Sequence, residues 1–355
     1  MSERFYTVLG MMSGTSCDGL DLALVRIGRV EGKWVFEWLA TDTIEYTHVQ
    51  RDELRSIRDV SSIELLKSHY DWGSYMGEQA KSFLKSHSSI PVDFIASHGH
   101  TVFHQPQSGW TFQMGAGSAI AAMAQLPVVC DFRSTDVCYG GQGAPLVPIG
   151  DQILFNEYDF CLNLGGFANI SYELNKQRLA FDICPLNIVL NQLAQRLGQP
   201  FDSNGDWARK GEVNASLLAS LNRLEYYLDS PPKSLGAEWY HEQFLSVLRG
   251  CQIPVVDMLA TVTEHCAEQI ALAMAGWSGK VLVTGGGAWN GFLLERVKSH
   301  APLMDCQVPD AGLVNFKEAL IFALLGVLRW ELKVNALSSV TGASVNSTGG
   351  CIYYY

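Results

Sequence analysis

Basic charge is in short supply in this 355-residue chain: 25 Lys and Arg stand against 36 Asp and Glu, a formal net charge of −11 at pH 7 with His neutral. No basic block occurs either, so the chain lacks the electrostatic footprint of a nucleic-acid binder or of a protein held on an anionic membrane surface. The start "MSERFYTVLG" has only a short apolar run, interrupted by Thr7, and reads as a strand rather than a signal peptide. No apolar run reaches the ~20 residues that a bilayer crossing requires. The nine cysteines are odd in number, scattered and without a C-x-x-C pair. That usage fits reduced thiols in a cytoplasmic protein. Neither the G-x-x-x-x-G-K-[ST] phosphate loop nor G-x-G-x-x-G is present.

What is present is ordinary globular material, 48% hydrophobic and 17% charged, long enough for two domains with cores that need no staples. Strand-like runs at "RFYTVLGM", "LDLALVRIG" and "KWVFEWLA" precede any helix, which predicts an antiparallel meander. A helix is expected from about Ile63 to Ser86, with Ile63, Leu66 and Tyr70 at helical spacing. "VDFIASHG", a small-residue helix near "GSAIAAMAQL" and "PVVCDFR" follow. "YGGQGAPLVP" is too rich in Gly and Pro for a regular element and is expected to cross between domains. The second half repeats this order: "DFCLNLGGFANISYELN" as strand, glycine turn and strand, then "QRLAFDI", then alternating helix and strand. A helix of about Asp257 to Ala275 places Leu259, Val262, Cys266 and Ile270 on one face. The last helix, "KEALIFALLGVLRWEL", is apolar almost all round and is expected to be buried. The expected domains are therefore 1–140 and 141–314, with the helix in 315–355 packing back on the first. Two similar α/β halves imply a ligand cleft between them.

Three glycine-rich turns follow strands: Ser13–Gly19, Gly165–Asn169 and Gly285–Asn290. Turns without side-chain bulk let backbone N–H groups approach an anion, and the hydroxyls of the first add donors. Asp18 there could hold a hydrated Mg²⁺ that bridges phosphate oxygens. A single such turn can equally be a tight connection. Three at equivalent places in two similar halves point to a nucleotide.

The hairpin turns of both halves, with the third glycine turn, resemble the actin, hexokinase and Hsp70-type ATPase superfamily. More narrowly, "GMMSGTSCDGLD", "SHGHTVFHQP", "DFRSTDVCYGGQGAPLVP", "NLGGFANIS", "GGGAWN" and "KEALIFA" resemble the anhydro-N-acetylmuramic acid kinases of peptidoglycan recycling, from about Gly10 to Ala323. The resemblance implies an α/β fold of two ribonuclease-H-like domains around an interdomain cleft, ATP and Mg²⁺ as cofactors, and a homodimer. It implies that Gly14, Thr15, Ser16, Cys17, Asp18, Gly19, Leu20 and Asp21 hold ATP, with Asp18 near the metal. Gly165 and Gly166 would form the second phosphate loop, and Gly285, Gly286, Gly287 and Asn290 would border the adenosine. The implied reaction opens a 1,6-anhydro ring and phosphorylates O6, which requires a carboxylate to take the proton of the attacking water.

By the same resemblance that base is Asp182 in "FDICPLN"; read from the residues alone, Asp182 before a helix is an N-cap. The chain departs from the family's pattern here. Ile183, Cys184 and Leu186 stand where Thr, Gly and Gly are usual, and Asn191 where an aspartate is. Such bulk is expected to narrow backbone access to the ligand. "KSLGAEWY" also lacks the arginine of the family's Ser-Thr-Gly-Arg-Glu run, which could alter phosphate or sugar contacts. These departures keep two alternatives open. One is a kinase for another amino sugar or anhydrosugar, which a substrate panel read by mass spectrometry would separate. The other is a non-catalytic ATP-gated binding protein, which would bind ATP without sugar-dependent ADP release.

His98, His100 and His104 are close enough to suggest zinc, but no acid or cysteine ligand stands nearby. His98 and Thr101 fit the sugar side of the cleft better. In "DFRSTD", Arg133 could grip the lactyl carboxylate of a muramic acid, with Asp131 beside it, or form a structural Arg–Asp pair. Glu318 has a functional reading by resemblance and reads otherwise as a first-turn carboxylate facing the helix dipole. Cys17, with no evident base partner, fills space.

Overall fold

The computed structural model describes residues 4–14, 16–231 and 233–355. Contacts divide the chain into two compact units, Met1–Leu154 with Phe316–Tyr355, and Phe155–Asn315. The break thus falls after Leu154 rather than at 140, and the "YGGQGAPLVP" segment lies within the first unit instead of crossing out of it. Its backbone explains why. Gly143 N–H donates to the buried Asp136 Oδ2 at 2.8 Å, and Gln142 N–H to the Thr341 carbonyl at 2.8 Å. Beyond it, the buried Lys317–Asp151 ion pair, 2.7 Å, fastens helix Val147–Leu154 to the same unit.

In the first unit, β1 (Phe5–Ser13), β2 (Gly19–Val30) and β3 (Lys33–Glu45) form the expected meander. β1 is buried on both faces along most of its length, whereas β3 alternates exposed with half-buried residues, as an edge strand does. β4 (Phe94–Gln105) runs parallel to β1, β5 (Trp110–Met114) folds back on β4, and β6 (Val128–Cys130) runs parallel to β4. The C-terminal strand Cys351–Tyr353 pairs antiparallel with β6. The order is β3-β2-β1-β4-β6, with the C-terminal strand outside β6.

Helix Ser62–Ser86 begins at a capping box made by Ser61 and Glu64. Its buried face is not the expected one: Ile63, Leu66 and Tyr70 are exposed, and Trp72, Met76, Ala80 and Phe83 are buried. Close approach decides this. A Cβ on Gly73 or Gly77 would stand 2.7 Å from the Ala116 backbone and 2.9 Å from the Ile120 carbonyl, so the small-residue face is the one that packs.

The second unit has β7 (Phe160–Leu164), β8 (Phe167–Leu174) and β9 (Gln177–Pro185) antiparallel, with β10 (Gly279–Thr284) parallel to β7 and β11 (Met304–Gln307) parallel to β10. Its order, β9-β8-β7-β10-β11, repeats the first unit's path. Two units that each order their strands third-second-first-fourth and then one more parallel strand, β6 in the first and β11 in the second, with the first three antiparallel, are ribonuclease-H-like α/β domains. Helix Val255–Ala273 buries Leu259, Val262, Cys266 and Ile270 completely. Helix Ala311–Trp330 has the length and mean hydropathy, 1.7, of a membrane span, but 72% of that stretch is buried by the protein itself.

Candidate functional site

In the first unit the β1–β2 turn begins where the ladder ends, at Ser13 opposite Leu20. Cys17 takes a left-handed conformation, φ 58°, and its N–H closes the bend onto the Gly14 carbonyl at 3.1 Å. Its side chain is buried and burial pushes the thiol pKa up, in keeping with a space-filling role. Ser16 and Asp18 are exposed and Gly14 half-buried, so the rim of the turn faces outward. Thr15 lies outside the described residues. Leu20 is fully buried in the strand and offers nothing to a ligand. Asp21, on the opposite face, accepts from Thr43 Oγ1 at 2.7 Å. Burial raises its pKa, Thr43 opposes this, and the Asp18 charge adds to the rise. Gly19 is buried beneath β3, where a Cβ would meet the Ile44 carbonyl at 2.8 Å, and so acts as a packing residue.

Ser13 carries a network that the sequence did not announce. Tyr46 Oη donates to Ser13 Oγ at 2.8 Å, and Ser13 Oγ lies 3.0 Å from His100 Nδ1. The β1–β4 register slips between Met11 and Ser13, and Gly99 sits at φ 75° beside the slip. A glycine that can adopt this φ lets the strand bulge and brings His100 opposite Ser13. Desolvation first, with a smaller push from Arg58, lowers the His100 pKa to about 4, so the ring is neutral at pH 7.

His98 accepts at Nε2 from Arg133 Nε, 3.0 Å, while its Nδ1 faces the Gly99 carbonyl at 2.9 Å. A guanidinium only donates and a carbonyl only accepts, so the ring is the neutral Nδ1–H tautomer. Burial, with the Arg133 charge, holds its pKa well below the usual range. His104 turns to Thr111 Oγ1 at 3.1 Å. The three imidazoles thus go to three different partners and form no zinc triad. Thr101, half-buried, pairs with Gln113 where β4 meets β5.

Arg133 does not pair with Asp131. Its Nη1 donates to the Gly143 carbonyl at 2.6 Å, and the charges that oppose its desolvation are Glu318 and Asp136. Burial pushes its pKa down to about 10, which leaves it a cation at pH 7. Asp131, in a left-handed conformation, accepts from the Ser134 hydroxyl, and burial raises its pKa. Glu318 stands two turns inside helix Ala311–Trp330, not in the first turn, so dipole compensation does not explain it. It is open to solvent yet crowded by protein: desolvation raises its pKa, Arg133 opposes the rise, and Asp21 adds to it. Arg133, His98, Glu318 and Asp21 therefore form one connected electrostatic group.

In the second unit, Gly165 and Gly166 close the β7–β8 hairpin. Their carbonyls accept from the first N–H groups of helix Asn187–Gln195: Leu186 and Ile188 donate to Gly166, and Asn187 to Gly165. A Cβ on Gly166 would meet nothing within 4 Å. The third turn lies directly against this one. Gly285, at φ 80°, follows β10, and a Cβ there would stand 2.9 Å from the Leu164 carbonyl carbon. Gly287 is equally close to Leu164, and Gly286 faces Asn187. The two glycine turns thus share the carboxyl ends of the parallel strands β7 and β10, where α/β sheets bind ligands. Asn290 is buried and caps helix Gly291–His300 through Leu293 N–H, a structural task.

Asp182 is not an N-cap. It lies inside β9, and the cap position before helix Asn187–Gln195 is Leu186. The β8–β9 ladder skips Ile183, with Asn169 opposite Asp182 and Ala168 opposite Cys184. The resulting bulge re-aims the strand at this residue. Asp182 Oδ2 accepts from Leu235 N–H at 2.9 Å, and its own N–H donates to the Lys233 carbonyl at 3.2 Å. Desolvation raises its pKa to about 6, and the Leu235 bond works against the rise. "KSLGAEWY" therefore addresses the carboxylate through its main chain, so Leu235 supplies the contact whatever its side chain. Ile183, Cys184 and Leu186 are buried in the core of the unit. Leu186 also abuts the third glycine turn, where a Cβ on Gly287 would stand 3.1 Å from its Cδ2.

The family model described as anhydro-N-acetylmuramic acid kinase matches residues 6–355. The anhydro-N-acetylmuramic acid kinase of Microcystis aeruginosa is 34% identical over 98% of this chain and 99% of its own. That of Vibrio cholerae is 33% identical over all of both chains. Among solved structures, the activator of the 2-hydroxyisocaproyl-CoA dehydratase from Clostridium difficile with bound ADPNP matches at TM-score 0.43 and 13% identity, over 90% of this chain and 93% of that one. On the full-length family match and these relatives, the chain belongs to the anhydro-N-acetylmuramic acid kinase family.

Proposed function

We propose that this protein is an ATP-dependent kinase that opens the ring of 1,6-anhydro-N-acetylmuramic acid and yields N-acetylmuramic acid 6-phosphate. The observation that carries this reading is Asp182, a carboxylate held by Leu235 N–H with its pKa raised to about 6. Water adds to the anomeric carbon and gives its proton to Asp182. The C1–O6 bond breaks as O6 attacks the γ-phosphorus, and ADP leaves. A base of this strength is ionised at neutral pH and still accepts a proton readily.

The Ser13–Gly19 turn of the first unit, and the Gly165–Gly166 and Gly285–Gly287 turns that adjoin each other in the second, fit phosphates and nucleoside. His98, Thr101, Asp131, Arg133 and Glu318 fit the sugar. The exposed Asp18, whose charge is felt by Asp21, suits Mg²⁺, a hard cation that takes one or two carboxylates and keeps its waters. Bound there with the nucleotide, the ion would neutralise charge on the phosphates. The same reading places the enzyme in the cytoplasm as a homodimer. The test is turnover in ¹⁸O-water with ATP and the anhydrosugar: the label is expected at C1 of a phosphorylated product. ATP binding without sugar-dependent ADP release would overturn the reading in favour of a regulatory protein.

A further inference from the structure

One short segment of the second unit addresses three different atoms of Asp182. Tyr226 Oη donates to its carbonyl, the Lys233 carbonyl accepts from its N–H at 3.2 Å, and Leu235 N–H reaches its Oδ2 at 2.9 Å. The segment is itself fastened. Lys233 Nζ donates to the Tyr226 and Asp229 carbonyls, each at 2.9 Å, and lies 4.5 Å from the centre of the Tyr226 ring. Tyr226 is buried and packs on Trp239, with ring centroids 5.3 Å apart. The ammonium thus ties Lys233 to Tyr226 and Asp229, and Tyr226 and Lys233 both bond to Asp182.

We propose that Tyr226 and Lys233 are positioning residues, a clamp that fixes the direction of the Asp182 carboxylate and limits its exposure to bulk water. The proposal rests on Asp182 as the base and adds how the protein prepares it. Neither side chain touches the carboxylate. Tyr226 holds the strand backbone, and Lys233 holds the loop that delivers the Leu235 N–H. Releasing the loop has two opposite effects on Asp182. Loss of the Leu235 donor favours the neutral acid, while entry of water favours the anion. Burial is the larger cause of its raised pKa, so the second effect dominates.

The test uses the full chain with Tyr226→Phe, which removes one hydroxyl, and Lys233→Met, with Lys233→Arg as the conservative rescue. Asp182 is titrated by ¹³C NMR of labelled aspartate, its signal identified by its absence in Asp182→Asn. The expected result is an Asp182 pKa lower by about one unit in Tyr226→Phe and Lys233→Met. The acidic limb of the pH–rate profile should move the same way, kcat should fall about tenfold, and KM for ATP should stay unchanged. Lys233→Arg is expected to restore most of each. A folded Tyr226→Phe with wild-type titration and pH profile would overturn the clamp, because a merely structural role changes stability and not the position of the limb. If the wild-type chain shows no sugar-dependent turnover, the kinase reading fails while the NMR titration still decides the clamp. Should Lys233→Met not fold, Tyr226→Phe decides it.

Discussion

The main-chain N–H of Leu235 donates to Oδ2 of Asp182 at 2.9 Å and opposes the burial that raises this carboxyl to about 6. One donor to an anion stabilises it, but less than desolvation destabilises it here. The outcome is a group poised between a spectator carboxylate of ordinary pKa and a permanently protonated one. Because the donor is backbone, the side chain at 235 can vary without disturbing the pair.

Asp182→Asn keeps the hydrogen bond from Leu235 and removes the basic oxygen. Turnover is expected to fall by at least ~10²-fold, the range for loss of a general base, with ATP binding unchanged. Calorimetric titration with ATP and a coupled ADP assay check the two halves separately. Near-normal turnover would remove Asp182 from the mechanism.

The pKa of Asp182 also ties stability to pH. A carboxyl whose pKa is higher in the folded than in the unfolded chain favours folding while protonated. That contribution is complete below about 4 and is lost as pH rises through about 6. Ionised Asp182 is therefore a cost at neutral pH, of order 1–3 kcal/mol for a half-buried group. Asp182→Asn should be more stable than the parent at pH 8 by roughly that amount, and no more stable at pH 4. Denaturant titrations at both pH values check this. An equal difference at the two would show that the carboxyl is not perturbed.

The succession of strands and helices in both units, and the meander that opens the first, could be read from the sequence because they follow from local signals: alternation, β-branched runs, and glycines between strands. Long-range events could not. Helix Ser62–Ser86 was legible, but its buried face was not, since Gly73 and Gly77 pack by closeness to the 116–120 backbone and apolarity points instead to Ile63, Leu66 and Tyr70. Tyr46 and Tyr226 reach Ser13 and Asp182, 33 and 44 positions away, a separation at which no pattern operates. Asp182 was found by resemblance and misread from its neighbours as a cap, because the bulge that extends β9 to Pro185 has no local signature.

Two glycines separate packing from phosphate binding. A Cβ on Gly10 would lie 2.0 Å from the Ala319 carbonyl oxygen, so Gly10→Ala should cost about 3 kcal/mol or more. Gly166 faces open space, and Gly166→Ala should leave stability within about 0.5 kcal/mol. If its turn cradles phosphate, the added methyl should raise KM for ATP about tenfold, measured beside the thermal midpoint. Unchanged ATP kinetics would return Gly165–Gly166 to the status of a tight connection.

Arg133 tests what recognises the sugar. Its Nε is held by His98 and its Nη1 by the Gly143 carbonyl, so the plane of the guanidinium is fixed. Lysine keeps the charge but cannot make both bonds. Arg133→Lys should raise KM for the anhydrosugar at least tenfold and leave KM for ATP alone. A substrate without the lactyl group separates two origins of that loss. If the guanidinium binds the lactyl carboxylate, removing the carboxylate should cost the parent as much as the mutation does, and the variant should suffer no further loss. If Arg133 only orients His98 and Glu318, the two changes touch different contacts and their costs should add. An additive cycle would therefore assign the carboxylate to another residue.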